Sequence, residues 1–191
     1  MLGQDGLRRC PWATTDPLNQ DYHDSEWGVP VHGEQALFER VCLESFQAGL
    51  SWLTILRKRP AFRLAFAEFD VDAVADFTDE DVARLMTDAK IVRNRAKIDA
   101  AIGNAHAVQH LRADGGLDAL IWSYQGADRP APRISADVPA RSPTSEAMAK
   151  DLRMRGFRFV GPTSCHALME ATGVIDTHLL GCHRRGIAER S

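Results

Sequence analysis

Glu44 is the residue whose placement first points to chemistry. At the 100° step of an α-helix, Leu37, Val41, Glu44 and Ala48 fall on one narrow stripe, which puts an acid inside an apolar helix face. Burying a carboxylate there is costly unless something hydrogen-bonds it or a cation sits beside it. Gly49 then breaks the helix, Leu50 is left on a turn, and Ser51 can cap a second helix whose first residue is Trp52. An acid and a large π surface therefore converge on one turn, and something must offset the burial of the acid.

A second group is suited to a metal. His178 and Cys182 are four residues apart, which places them on one face of a helix, and both suit a zinc ion. Cys10 and His23 would complete a Cys2His2 set drawn from the two ends of the chain. Cys42, Cys165, His32, His166 and His183 compete for the same role, and buried free thiols are the ordinary alternative.

A third group is suited to phosphate. A helix from Pro143 ends at Gly156, Phe157-Arg158-Phe159-Val160-Gly161 is too short to be anything but a hairpin, and Pro162-Thr163 restarts a helix. Backbone N–H groups near Gly161 and at the Thr163 helix start point outward together, where the helix N-terminus attracts phosphate. Arg153, Arg155 and Arg158 add charge. This geometry resembles the helix-hairpin-helix element of non-sequence-specific DNA-binding proteins, although an ordinary αα-hairpin has the same outline.

The elements that must position these groups read as helices nearly throughout. Helices are predicted over 34–48 and 52–58, the latter ending at the basic stop Arg57-Lys58-Arg59-Pro60. Further helices follow from the Asp70 cap through Ala75, from Thr78, over 91–111, over 117–124, over 143–156 and from Pro162 to about Thr172. Arg93, Arg95 and Lys97 read as a solvated basic face. Cys10 to Pro30 has an irregular pattern, and its Trp12, Tyr22 and Trp27 can either pack or close over the Glu44 helix. Gly126 to Pro143, with Pro130, Pro132 and Pro139, reads as an extended connection between two bodies. With no credible strand pair and no internal repeat, the fold class is all-α.

Composition narrows the class without naming an activity. The 191 residues suit one domain or two small ones, and 45% hydrophobic with 26% charged content is ordinary for a globular protein. Met1 to Arg9 is not a signal peptide and no segment approaches a membrane span, so a cytoplasmic protein with no membrane partner is expected. Four cysteines in such a chain argue for thiols or metal ligands over disulfides. A net charge of −3 argues weakly against a general polyanion binder but leaves a local basic face open.

Taken together, Arg9-Cys10-Pro11-Trp12, Asp16-Pro17-Leu18, Tyr22-His23-Asp24-Ser25-Glu26-Trp27-Gly28, Cys42-Leu43-Glu44, Gln47-Ala48-Gly49-Leu50-Ser51-Trp52, Arg155-Gly156-Phe157 and Phe159-Val160-Gly161 resemble the 3-methyladenine DNA glycosylase I family. The resemblance runs from about Arg9 to Cys182. It implies a helix-hairpin-helix glycosylase fold and hydrolytic, monofunctional removal of 3-methyladenine from alkylated double-stranded DNA, opening base excision repair. It also implies one structural zinc ion held by Cys10, His23, His178 and Cys182. Glu44 then matches the base-recognising acid, Trp52 and Tyr22 the stacking residues, and Trp12 and Trp27 further pocket aromatics. Leu50, beside Gly49, would fill the gap left in the base stack, and Gly161, Thr163 and Arg158 would meet the phosphates.

The implied organisation is a single domain over 9–184, acting as a monomer. It comprises a helical body over 34–125, a loop over 126–142, the helix-hairpin-helix over 143–173, and zinc-binding ends at 10–23 and 178–182. Flexible ends are expected over 1–8 and 185–191. Two departures from the family stand out. Asn19 stands where a tyrosine is common, which makes one pocket wall more polar or more open, and Asp176 stands where asparagine is usual. Asp176 is read as a partner of the zinc ligand His178, the alternative being the catalytic aspartate that follows the hairpin in the wider glycosylase superfamily. The competing readings are a zinc-containing DNA-binding module without activity, and a glycosylase for another alkylated purine.

Overall fold

The computed structural model describes residues 1–126 and 130–187, so part of the 126–142 loop and most of the 185–191 tail lie outside the described residues. The described chain is helical, with no strand and one isolated β-bridge between Leu2 and Arg8. Nine α-helices follow in order: α1 (Pro17–Ser25), α2 (Glu34–Gln47), α3 (Trp52–Ala65), α4 (Val71–Ala75), α5 (Asp79–Thr87), α6 (Arg95–Leu111), α7 (Gly116–Trp122), α8 (Pro143–Met154) and α9 (Pro162–Ala171). Among them no helix is long and apolar enough to cross a membrane.

Helix α2 is the axis of the molecule. Every residue from Leu37 to Phe46 is buried, because α3, α6, α7 and α9 all pack against it. The predicted stripe was therefore too narrow: Leu37, Val41 and Glu44 are inside, but so are Glu39, Arg40 and Ser45, while Ala48 is exposed. Glu39 and Ser45 are tolerated because they are paired, and Arg40 is held through one of its guanidinium nitrogens. Arg40 donates to Glu26 at 2.8 Å, Glu39 accepts from Arg59 and Arg63 at 2.8 Å each, and the Ser45 hydroxyl donates to the Val41 carbonyl at 2.8 Å.

The basic stretch before Pro60 is not a stop. Helix α3 runs through Pro60 to Ala65, where a proline in a helix interior costs about 3 kcal/mol. Buried Arg59 offsets this by bonding Glu26 at 2.7 Å and Glu39 at 2.8 Å, and Phe62 packs on Phe46 with ring centroids 4.7 Å apart. The solvated face predicted for Arg93, Arg95 and Lys97 holds for the exposed Arg93 and Arg95 but not for Lys97. Asn94 caps α6, so the helix begins at Arg95, and the buried Lys97 ammonium donates to the carbonyls of Phe46 and Ala48 at 2.9 and 2.6 Å. Those are carbonyls at the end of α2, which a cation satisfies well.

The proline-bearing connection does not separate two bodies. Its described part lies against the C-terminal segment, where Leu180 N–H donates to the Pro132 carbonyl at 2.9 Å and Arg185 reaches the Pro130 carbonyl at 2.6 Å. Helices α8 and α9 pack on each other, and α9 packs on α2, which brings the hairpin pair into the same core. Residues 1–8 fold back as a short loop, with Arg9 N–H donating to Met1 at 2.8 Å and the Arg9 guanidinium paired to Asp5 and Asp24.

Candidate active site and metal corner

Helices α1, α2, α3 and α9, with the segments around residues 10–15, 27, 135–140 and 177–179, enclose one cavity of about 650 Å³, a size suited to a small molecule or an extruded base. Helix α1 sits in the stretch expected to be irregular. Asp16 caps it by accepting from Leu18 N–H at 2.9 Å, and Pro17 occupies its first turn. Asn19, Tyr22 and His23 are then three and four residues apart on its buried face. Asn19 and Tyr22 line the cavity, while His23 faces the metal corner. Trp12, Trp27, Glu44 and Trp52 complete the six predicted pocket residues, all on the wall of this one cavity.

The aromatic rings form a continuous sheath. Trp12 meets Trp27 edge to face at 5.1 Å, and Tyr22 meets Trp52 at 5.2 Å. Within this sheath Glu44 is only 6% exposed, and its Oε2 has no hydrogen-bond partner. Burial pushes its carboxyl up to about 8; the charge of Glu170 pushes the same way, and Arg40 pulls it down. Two further buried polar atoms on the wall have no partner among the described residues, the Trp52 indole N–H and the Asn19 Oδ1. Buried polar groups are almost always paired, so two acceptors and a donor around one cavity are the signature of a site for a ligand with complementary edges.

Sequence reading missed two contributors. Glu170 of α9 lines the same cavity as Glu44, and burial pushes its carboxyl up to about 7 against the hydrogen bond donated by Thr177 at 2.5 Å. Its only sequence signal is an acid within the apolar run that follows the hairpin. Ser135, Val138, Pro139 and Ala140 close another side of the cavity, a role that a proline-bearing connection does not announce.

The turn after α2 has the expected form. Gly49 has a φ of +83°, Ser51 accepts from Thr54 N–H at 3.2 Å to cap α3, and Leu50 is 42% exposed beside Gln47 and Ser51, which line the cavity mouth. Between α8 and α9 the chain turns after Gly156, at φ +95°, and Gly161 is the N-cap residue of α9. Gly161 has a φ of −74°, and a Cβ built there meets nothing within 4 Å. The local backbone would therefore accept another residue, and the glycine leaves open space outside the helix start. Thr163 lies in the first turn of α9, and Arg158 is exposed in the hairpin.

The metal corner lies behind Trp27. Single donor atoms of Cys10, His23 and Cys182 all fall within 4.8 Å of one another, and Cys182 Sγ is 3.3 Å from His23 Nε2. His178 does not share a helix with Cys182, because the chain beyond α9 is irregular. It joins the corner through tertiary packing, its ring 5.2 Å from that of His23, and its buried Nε2 has no partner. His23 Nδ1 is fixed by Asp24 at 2.8 Å and His178 Nδ1 by Asp176 at 2.8 Å, the carboxylate–imidazole arrangement that orients metal ligands. Asp176 also accepts from Gly186 N–H at 2.7 Å. Its carboxyl lies below the usual range although burial opposes this, because His178 and Gly186 both hydrogen-bond to it. Two thiols and an orphaned imidazole nitrogen beside a second imidazole fit a Cys2His2 zinc site. Cys42 and Cys165 are buried free thiols away from this cluster.

Residues 12–185 match the family model for methyladenine glycosylase. The chain belongs to the methyladenine glycosylase family. Family relatives include DNA-3-methyladenine glycosylase 1 of Escherichia coli, 42% identical over 179 residues that cover 92% of this chain and 96% of that protein. DNA-3-methyladenine glycosylase of Haemophilus influenzae is 40% identical over 178 residues, covering 91% and 96%. A crystal structure of 3-methyladenine DNA glycosylase I superposes with a TM-score of 0.89 at 41% identity, covering 93% of this chain and 100% of that one. The Staphylococcus aureus member, whose structure describes 3-methyladenine recognition, gives 0.87 at 36% identity, covering 94% and 97%. The methyladenine glycosylase fold is thus shared across nearly the whole described chain.

Proposed function

We propose that this protein is a DNA repair glycosylase that extrudes 3-methyladenine from alkylated double-stranded DNA and hydrolyses its N-glycosyl bond without strand cleavage. The observation that carries this reading is Glu44, a buried carboxyl with an unpaired oxygen inside an aromatic cavity. N3-methylated adenine in DNA is cationic, so an electron-rich aromatic wall and a nearby carboxylate favour it over neutral adenine. Glu44 accepts from the exocyclic amine, Tyr22 and Trp52 stack on the base, and Trp12 and Trp27 close the remaining wall. Asn19 presents an amide oxygen to the same space in place of a tyrosine ring.

Methylation already makes the base a good leaving group, so the enzyme need not protonate it. Its residues must hold the extruded base and favour the developing sugar cation over the ground state, after which water attacks the sugar. No lysine lines the cavity among the described residues, which supports water over an amine as the nucleophile. Leu50 fills the gap in the stack, while the start of α9 at Gly161 and Thr163, with Arg158, binds the backbone phosphates. Cys10, His23, His178 and Cys182 would hold one zinc ion, which supplies a structural cross-link between the chain ends and no open coordination position. The chain works as a cytoplasmic monomer in this reading.

Incubation with methylated duplex DNA and chromatography of the released bases tests the proposal. Release of 3-methyladenine with the DNA strand left intact is expected. Release of no methylated base, or strand scission with each excision, would refute it.

A further inference from the structure

Glu170 is unused by the mechanism above, although it faces the same cavity as Glu44. Its side chain is 16% exposed, it has no arginine or lysine partner among the described residues, and His166 Nε2 is 3.9 Å away. Glu44 likewise has no ion pair, since Arg40 spends its one observed hydrogen bond on Glu26. Two acids lining one poorly solvated cavity, with no arginine or lysine bonded to either among the described residues, cannot both ionise cheaply.

We infer that Glu170 is a second acid of the base pocket, coupled to Glu44 by charge through the shared cavity, so that the pair carries one proton while the pocket is empty and gives it up to solvent when a positively charged purine enters. This rests on the proposed function for the identity of the ligand. The exchange balances: a cation enters, one carboxyl loses its proton to water, and the pair faces the cation with two negative charges in place of one. A neutral purine offers no such compensation, so the second acid sharpens the pocket's selection for charge.

Other groups around the pair do not take over this proton. Tyr22 from α1 is pushed above its usual range by burial, and burial pushes the Cys165 thiol of α9 up to about 12. Arg59 from α3 is engaged by Glu26 and Glu39, and Lys97 from α6 by the α2 carbonyls. Asp118 of α7 binds His32 and Asp72 of α4 binds Arg112, both away from the cavity. His166, next to Glu170 on α9, is the remaining candidate, and the measurement must distinguish it from the acids.

Carboxyl carbon NMR of the protein labelled at glutamate, with single-turnover excision followed across pH, makes that distinction. In the wild-type protein two glutamate signals should titrate well above the free range, each in two steps. In Glu170→Gln the Glu44 signal should titrate about one pH unit lower, a tenfold change in proton affinity. The acid limb of excision should move down by the same amount. The inference is overturned if the Glu44 titration is unchanged in Glu170→Gln, or if excision falls equally at every pH with its limb in place. If the two signals behave as expected but no methylated base is released by the wild-type protein, the shared proton stands and the proposed substrate falls.

Discussion

Asn104 and Arg158 exchange two hydrogen bonds across the molecule. The Asn104 Oδ1 accepts from the Arg158 N–H at 2.7 Å, and its Nδ2 donates to the Arg158 carbonyl at 3.2 Å. One buried amide on α6 thus satisfies both backbone groups at the middle of the hairpin. Its tip carries Phe159 at a strained φ of +55°, whose carbonyl accepts from Ser45 on α2 at 3.3 Å. The hairpin is clamped to the same helix that carries Glu44.

Replacing Asn104 by alanine leaves the two half-buried backbone groups of Arg158 without their side-chain partner. The expected loss of stability is about 1–3 kcal/mol, read by urea denaturation. Affinity for abasic duplex DNA should fall with it, because the hairpin no longer holds α9 in register. An unchanged denaturation midpoint with unchanged DNA affinity would show that the clamp is unimportant.

Gly161→Leu separates binding from folding. The φ of −74° and the free space around the missing Cβ predict an unaltered melting temperature. A leucine there would stand where phosphate approaches, so affinity for abasic DNA should drop about tenfold, or roughly 1.4 kcal/mol. Wild-type affinity should also fall steeply with salt and depend little on sequence. If the melting temperature and the affinity fall together, the glycine serves the fold instead.

Glu44 should cost the protein stability that its function requires. Its carboxyl is raised to about 8 in the folded protein from 4.5, so between those values the folded state holds a proton that the unfolded state has lost. Stability therefore declines as pH rises through that window. Glu44→Gln should be more stable than the wild type at pH 8 by on the order of 2 kcal/mol, with the gap closing toward pH 4. The same variant should excise 3-methyladenine more slowly. Thermal melts at several pH values test the first part; a constant gap across pH would mean that the buried charge is not its source.

Zinc content is the next test. Purified protein should hold one zinc ion per chain by elemental analysis, and Cys182→Ala should lose it along with several kcal/mol of stability. Full retention in that variant would remove Cys182 from the site. Asp176→Asn keeps a hydrogen-bond acceptor for His178, so excision close to wild type is expected, with metal held up to about 10–100-fold more weakly. Abolished excision at full metal occupancy would instead make Asp176 part of the chemistry.

Much of the site was legible in order along the chain because local rules decide local structure. Gly49 and Ser51 could be read as a helix break and a cap since a left-handed φ and an N-cap depend on a few neighbouring residues. The hairpin between Gly156 and Pro162 followed from the same rules, as did the all-helical class. The resemblance of long motifs then assembled Trp12, Tyr22, Trp27, Glu44 and Trp52 into one pocket, which periodicity could not have done.

Only the tertiary structure decided which polar residues are inside, because the partners that make burial tolerable are distant in sequence. Arg59 looked like part of a helix stop, yet Glu26 and Glu39 draw it inward and carry α3 past Pro60. Lys97 looked solvated, yet its ammonium closes the end of α2, 49 and 51 residues away. His178 reaches the metal corner from an irregular segment, where a four-residue spacing carries no information. Glu170 became a pocket residue only when α9 packed against α2. A periodic pattern reports which face of one helix is apolar, whereas the fate of a charge depends on what another helix brings to it.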